Sequence, residues 1–187
     1  MQIPLFPLNT VLFPGGPLPL RIFESRYLDM ISRCMKDDAP FGVLLIRDGH
    51  EAGPATTYDV GTLARVTDWY QGSDGLLGIT AIGGERFRLR SAERQDDGLN
   101  MGEVELLPAV QSMALPDEYQ FLRPILESVL NDLGRLYEDL ERRYDDAAWV
   151  AWRFVEILPI DLEEKQALLE TDDIPACLRL IEEALRH

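Results

Sequence analysis

Short apolar segments separated by turn residues make up the first 115 residues of the chain. Several of them alternate apolar and polar side chains, which is the two-residue period of a half-buried strand. Turn signals such as the glycine pairs at 15–16 and 83–84 lie between them. The predicted strands are residues 18–23, 41–46, 60–70, 75–82, 85–90 and 101–107. Short strands at this spacing predict a small closed or nearly closed β-barrel.

Helical periodicity interrupts this pattern once and then dominates the rest of the chain. Residues 24–36 place Tyr27, Leu28, Ile31 and Met35 on one apolar stripe, and Pro40 follows. Beyond residue 115, the predicted helices are 116–133, 136–143, 145–158, 162–170 and 174–185. The sequence therefore predicts an α+β protein: a barrel subdomain with one helix over residues 1–115, and a helical subdomain over 116–187. No long linker divides the two, so we expect the helical subdomain to pack on the barrel.

The net charge of the chain argues against some classes of binding partner. The chain carries 18 basic and 33 acidic residues, a formal net charge of −15. Such a chain repels nucleic-acid phosphates and anionic membrane surfaces, so neither is an expected partner. No apolar run is long enough to span a bilayer, and the proline-rich start is a poor signal peptide. Cys34 and Cys177 lie in apolar helical patterns, which predicts two buried, reduced thiols and a cytoplasmic protein.

Motifs for catalysis and for metal or cofactor binding are missing. The sequence contains no phosphate-binding loop, no nucleophile elbow and no zinc-protease motif. His50 and His187 are expected to be solvated. Aspartate pairs at 37–38, 96–97, 145–146 and 172–173 fall at helix boundaries or turns, where aspartate caps backbone amides. We therefore expect no cofactor, no metal site and no catalytic residue.

One strand carries arginine at every second position: Arg86, Arg88 and Arg90. This alternation predicts a cationic strand face opposite Phe87 and Leu89. A nucleic-acid patch would also need neighbouring aromatic residues and a basic domain. We therefore expect a solvated face whose arginines pair with carboxylates.

The N-terminal segment, residues 3–27, is the most distinctive part of the sequence. It reads IPLFPLNTVLFPGGPLPLRIFESRY, and it resembles the signature of the Lon N-terminal domain, the substrate-recognition domain of the ATP-dependent Lon protease. The same domain type occurs in cereblon-like proteins. Further matching stretches are residues 41–46, 60–65, 83–89 and 156–169.

The resemblance implies a PUA-like β-barrel followed by a helical bundle. It also implies a stand-alone recognition domain, because no counterparts of the ATPase and protease modules follow it in this sequence. The catalytic residues of Lon therefore have no counterparts in this sequence.

Within this signature, the apolar residues are predicted to form core and the glycines a turn. The predicted core residues are Phe6, Leu8, Phe13, Leu18, Leu20 and Phe23. Gly15 and Gly16 allow a positive φ in the turn. Arg21, Glu24 and Arg26 cluster at the strand-to-helix junction. They form either a structural ion-pair and capping set or the polar rim of a polypeptide-binding surface.

The leading functional hypothesis is a non-catalytic module that binds unfolded or disordered polypeptides, or a partner protein, through apolar burial. Candidate binding residues are Trp69, Tyr70, Arg21, Glu24 and Arg26, with Trp149 and Trp152 as weaker candidates because aromatic residues at helical spacing favour core. Trp69 and Tyr70 are adjacent in a strand and must face opposite sides, so one of them could be exposed.

Two alternatives stay open. One is an RNA-binding PUA-like module, which the acidity opposes. The other is an uncharacterised hydrolase that uses a carboxylate site. An exposed apolar groove would favour the leading hypothesis, a basic cleft the second, and buried convergent carboxylates the third.

Overall fold

The structure is a computed structural model that describes residues 1–51 and 55–186. It contains a mixed, mostly antiparallel sheet together with helices. The chain divides into two compact units, Met1–Pro108 and Ala109–His187. We call the first the strand unit and the second the helical unit.

The strand unit contains seven strands and one helix among its described residues. In chain order these are β1 (Gln2–Leu8), β2 (Pro17–Ile22), α1 (Ser25–Asp37), β3 (Phe41–Gly49), β4 (Ala55–Thr57), β5 (Val60–Gln71), β6 (Leu77–Arg94) and β7 (Asn100–Leu106). Neighbouring strands pair in the order β1-β7-β6-β5-β3-β4, and β2 pairs with β6 outside this path.

Strand β1, which the sequence analysis does not predict, changes partner half-way along its length. Residues 2–5 pair with β7 in antiparallel fashion, and residues 5–8 pair with β3 in parallel. Each half thus has one paired edge in this register, which accommodates Pro4 and Pro7 although neither can donate a backbone hydrogen bond. The pairings return from β3 to β1, but β2 and β4 lie outside this circuit. The seven strands therefore do not form one closed barrel, so the closed form of the predicted closed or nearly closed barrel is wrong.

Strand β6 runs without interruption through Gly83 and Gly84, so the predicted turn at this pair is wrong. The reason is the loop between β1 and β2, which crosses the strand here. The Gly83 amide donates to the Gly16 carbonyl and the Gly15 amide donates to the Gly83 carbonyl, both at 2.8 Å. Gly15 has a φ of 78°, which confirms that the 15–16 turn needs a positive φ.

Helix α1 and five of the strands enclose the main apolar core. The buried face of the helix consists of Tyr27, Met30, Ile31 and Cys34. The predicted stripe is correct at Tyr27 and Ile31 but wrong at Met35, which is 39% exposed. A second cluster, which includes Ile3, Leu5, Leu44, Leu63, Phe87 and Val104, lies on the opposite side of β1 and β3, because successive strand residues face opposite sides.

Two further predicted side-chain positions in the strand unit are wrong. Phe23 is 64% exposed and lies outside the two core clusters described above. Arg86 is buried, and its guanidinium donates to the Pro108 carbonyl at 3.2 Å, so it does not belong to a solvated face. Arg90 does pair with Glu105 across the β6–β7 ladder, as expected.

The helical unit contains a short 3₁₀ turn and five helices among its described residues. They are the 3₁₀ turn Asp117–Tyr119, α2 (Leu122–Leu133), α3 (Arg135–Glu138), α4 (Ala147–Ile157), α5 (Leu162–Glu170) and α6 (Ile174–Leu185). The predicted helix 116–133 is divided, and Pro124 falls in the first turn of α2, where its missing amide costs nothing. The predicted helix 136–143 is reduced to α3. No helix in the described part of the chain has the length and apolarity to cross a membrane.

The cysteine prediction is confirmed: both thiols are free and buried. Burial raises the pKa of Cys177 to about 11. The capping interpretation of the aspartate pairs holds at Asp173, which accepts from the Ala176 amide at 3.1 Å, and Asp97 accepts from the Leu99 amide in a turn. Asp146 precedes α4 but makes no such capping bond.

Candidate functional site

An apolar cleft of about 300 Å³ opens beside β2 and the start of α1. We call it the β2 cleft. Its apolar lining consists of Phe6, Leu8, Pro19, Leu20, Ile22, Phe23 and Tyr27. Arg21, Glu24 and Glu51 supply polar groups at its margin. An apolar concave surface with few polar groups is the usual form of a binding site.

Phe23 is the residue of this cleft that the core prediction misplaces. Along β2, Leu18 and Ile22 point into the core while Pro19 and Arg21 are exposed. Phe23 follows in the phase of Pro19 and Arg21, so strict alternation puts it outside. The alternation was therefore the signal that could have identified it. Deeper in the cleft, the rings of Phe6 and Tyr27 stack at a centroid distance of 4.0 Å.

The free edge of β2 is poorly suited to adding another strand. Gly16 offers its carbonyl to Gly83, so the even-numbered residues of β2 share hydrogen bonds with β6. The backbone groups of Pro17 and Pro19 consequently face the outer edge, where neither has an amide hydrogen to donate. A peptide in this region gains more from side chains inserted into the cleft than from a β-ladder.

The three charged candidates near this cleft have different partners. Glu24 and Arg26 form an ion pair at 2.8 Å, and both side chains are mostly buried. Arg26 also donates to the Gly98 carbonyl at 2.8 Å. Arg21 instead pairs with Asp74 in the β5–β6 loop and is largely exposed. The ion-pair interpretation therefore fits Glu24 and Arg26, although Glu24 makes no side-chain capping bond to α1.

Trp69 and Tyr70 do not line the β2 cleft. Both are exposed, at 59% and 50%, because β5 beyond Ala64 pairs only with β6 and neither of its sides is buried at this end. Trp69 borders a separate cleft of about 260 Å³ with Met35 and Val66. The ring of Tyr70 lies over its cross-strand partner Gly78. Of the five candidates, only Arg21 and Glu24 meet at the β2 cleft.

The side chains of the cleft are mostly apolar, with carboxylate and guanidinium groups beside them. Its described lining contains no serine, cysteine, histidine or lysine that could act as a nucleophile or as a neutral base. Burial, the largest influence, raises the pKa of the Tyr27 hydroxyl, which keeps it protonated at neutral pH. Across residues 1–51 and 55–186, no three histidine, cysteine or acidic side chains come together as a metal-binding group.

The helical unit contains a buried polar cluster that sequence reasoning missed. Arg153 is fully buried in α4 and donates to Glu156, with Nε at 3.0 Å and a terminal nitrogen at 2.6 Å. The Tyr137 hydroxyl donates to the same carboxylate at 3.0 Å, and Lys165 donates to the Glu156 carbonyl. Burial raises the pKa of Glu156 against the opposing effect of Arg153. An arginine in an apolar helix with glutamate three residues later was the available signal.

Trp149 and Trp152 are buried in the same helix, as expected for core residues.

Comparison with known proteins identifies the family. The family model of the ATP-dependent protease La (LON) substrate-binding domain matches residues 2–187. The chain belongs to the Lon substrate-binding domain family. A crystal structure titled as a Lon N-terminal domain protein from Xanthomonas campestris matches with a TM-score of 0.78 and 35% identity, over 98% of both chains.

Longer relatives match only through this domain. Lon protease 2 of Myxococcus xanthus is 26% identical over 199 residues, which cover 99% of this chain and 23% of that protein. Protein cereblon of Danio rerio is 29% identical over 120 residues, which cover 62% of this chain and 27% of cereblon. The chain thus spans about a quarter of the length of these relatives.

Proposed function

We propose that the protein is a non-catalytic module that binds unfolded or disordered polypeptide segments and that the β2 cleft takes their apolar side chains. The observation that carries this proposal is Phe23, a large apolar side chain held 64% exposed at the rim of an apolar cleft. Water contact with such a ring is unfavourable, and covering the ring would remove that cost. Membership of a family described as substrate-binding supports a polypeptide ligand.

The shape of the cleft favours short apolar segments. A volume of about 300 Å³ accommodates one or two large side chains. Because the outer edge of β2 lacks two backbone donors, recognition relies on these side chains. An unfolded partner must also be ordered on binding, which lowers affinity, so we expect dissociation constants on the order of micromolar.

The alternative functions have less support. An RNA-binding role would need a basic surface, whereas the chain has a net charge of −15. A carboxylate hydrolase would need convergent acidic groups in an accessible site. The most buried carboxylate described above, Glu156, is instead occupied by Arg153 and Tyr137.

The test replaces Phe23 and measures binding of a labelled peptide that contains leucine and phenylalanine. Phe23→Ser should weaken binding by about tenfold, because it removes one aromatic contact surface of the cleft. Phe121→Ser is the matched control, since Phe121 is also an exposed phenylalanine, at 44%, but lies in the helical unit. Circular dichroism confirms that both variants fold. Equal binding by wild type and Phe23→Ser would refute the assignment of the cleft.

A further inference from the structure

A small polar pocket of about 150 Å³ adjoins the β2 cleft. Its lining includes Arg26, Tyr27, His50, Glu51, Arg94 and Asn100, and we call it the Arg94 pocket. Tyr27 and Glu51 also line the β2 cleft, so the two concavities share a wall. A peptide in the cleft can therefore place a neighbouring polar group in the pocket.

Three parts of the strand unit are connected by hydrogen bonds around the pocket. The tight turn between β6 and β7 sets Arg94 opposite Asn100, with Gln95 donating to the Leu99 carbonyl at 2.8 Å. Arg26, in the first turn of α1, donates to the Gly98 carbonyl of the same turn. Glu51 follows β3 and accepts from the Asn9 amide at 2.8 Å. These bonds position the side chains of Arg26 and Glu51 and the backbone of Arg94 and Asn100 before any ligand arrives, which reduces part of the entropic cost of binding.

The charged side chains that line the pocket differ in whether they already have a bonding partner. Arg26 is occupied by Glu24 and by the Gly98 carbonyl, and its guanidinium also lies over the Tyr27 ring at 4.6 Å. Arg94 forms no ion pair with the residues that the structure describes. The Glu51 carboxylate already accepts a backbone hydrogen bond. Arg94 supplies a guanidinium and Asn100 a side-chain amide as donors for a ligand, with His50 also in the lining, in a chain whose overall charge is strongly negative.

We propose that the Arg94 pocket binds a carboxylate of the polypeptide whose apolar side chain occupies the β2 cleft. This inference rests on the proposed function and adds a preference to it. The planar guanidinium of Arg94 matches the two oxygens of a carboxylate, and Asn100 adds an amide donor. The carboxylate comes from the C-terminus of the peptide or from an aspartate or glutamate next to its apolar residue.

The experiment compares three labelled peptides on the full chain by fluorescence anisotropy. All three end in leucine and phenylalanine: one as the free acid, one as the C-terminal amide, and one as the amide with an aspartate before the leucine. The free acid should bind about three- to fivefold more tightly than the amide, which is the range of a partly exposed charge pair. The aspartate peptide shows whether a side-chain carboxylate serves equally well.

The variants Arg94→Gln and Arg90→Gln assign the effect to the pocket. Both remove one positive charge from β6, but Arg90 pairs with Glu105 and lies outside the pocket. The preference for a carboxylate should disappear in Arg94→Gln and persist in Arg90→Gln. Equal loss in both variants would indicate a long-range charge effect and overturn the pocket assignment.

The outcomes also separate this inference from the proposed function. If the wild type binds all three peptides equally, the carboxylate preference is refuted and the polypeptide-binding function stands. If it binds none of them, both are refuted.

Discussion

Gly83 lies where the β1–β2 loop crosses β6, and its lack of a side chain allows the two backbones to hydrogen-bond. A Cβ at this position would overlap the Phe13 carbonyl oxygen. The obstacle is backbone, which cannot move aside without breaking the bonds between Gly83 and the glycines of the turn. The next residue is different, because a Cβ on Gly84 would find its nearest atom, the Leu63 carbonyl oxygen, at 3.7 Å.

Gly83→Ala should therefore lower the free energy of unfolding by about 1–3 kcal/mol, the range of an overpacked site. Gly84→Ala is the matched control and should change it by less than about 0.5 kcal/mol, as for an ordinary surface substitution. Chemical denaturation of both variants measures the difference. Equal denaturation midpoints for Gly83→Ala and Gly84→Ala would show that the β1–β2 loop can shift to accommodate a side chain at Gly83.

Residues such as Gly83 and Phe23 mark the limit of prediction from sequence. A glycine pair is a turn signal in local terms, and only the crossing loop, distant in the chain, gives Gly83 its role. Phe23 was predicted as core because of its apolarity, although alternation along β2 places it outside. The sequence also predicts that Arg21, Glu24 and Arg26 cluster. Arg21 instead forms an ion pair with Asp74, which lies in the β5–β6 loop.

Prediction was more accurate for helices than for strands and their partners. The apolar period is local, so α4, α5 and α6 lie close to their predicted positions. Strand β1 was missed because its two prolines are tolerated only through the change of partner, which depends on β3 and β7. The β2 cleft depends on the same long-range assembly, which is why its residues were only partly predicted.

Helix α4 contains an ion pair, Arg153–Glu156, in apolar surroundings. An arginine guanidinium does not lose its proton in proteins, whereas the carboxylate of Glu156 can take one up. Removing the glutamate therefore leaves a buried charge, and removing the arginine leaves a group that can become neutral.

Glu156→Leu should lower the free energy of unfolding by about 3–5 kcal/mol, since Arg153 loses its partner and Tyr137 loses its hydrogen-bond acceptor. Arg153→Met should cost less, and its cost should shrink as the pH falls from 8 to 5. Arg153 lowers the pKa of Glu156, so its removal raises that pKa further. A raised pKa in the folded state gives stability that is present at low pH and lost as the pH rises.

Denaturant unfolding at the two pH values tests this difference. Arg186→Met serves as the control, because Arg186 pairs with Glu182 at the surface at 3.3 Å and such pairs contribute less than about 1 kcal/mol. A cost for Arg153→Met that does not change with pH would contradict the account of Glu156.

Acidity characterises the molecule as a whole, although it is uneven along the chain. Residues 1–115 carry 10 basic and 15 acidic residues, and residues 116–187 carry 8 and 18. The proposed binding site therefore lies in the less acidic part. Its main driving force is apolar burial, which salt does not screen, whereas binding of RNA to any protein depends on phosphate contacts and falls steeply with salt.

A labelled apolar peptide with an amidated C-terminus should therefore bind almost equally at about 0.05 M and about 0.5 M salt, although the Debye length shrinks several-fold over this range. A peptide of the same apolar residues with added lysines should bind more tightly at low salt only, because the acidic surface attracts it. Labelled single-stranded RNA should show no binding at either salt concentration. Titrations by fluorescence anisotropy under both conditions make the comparison. RNA binding that collapses with salt, together with an absence of peptide binding, would favour the RNA-binding alternative over the polypeptide-binding module.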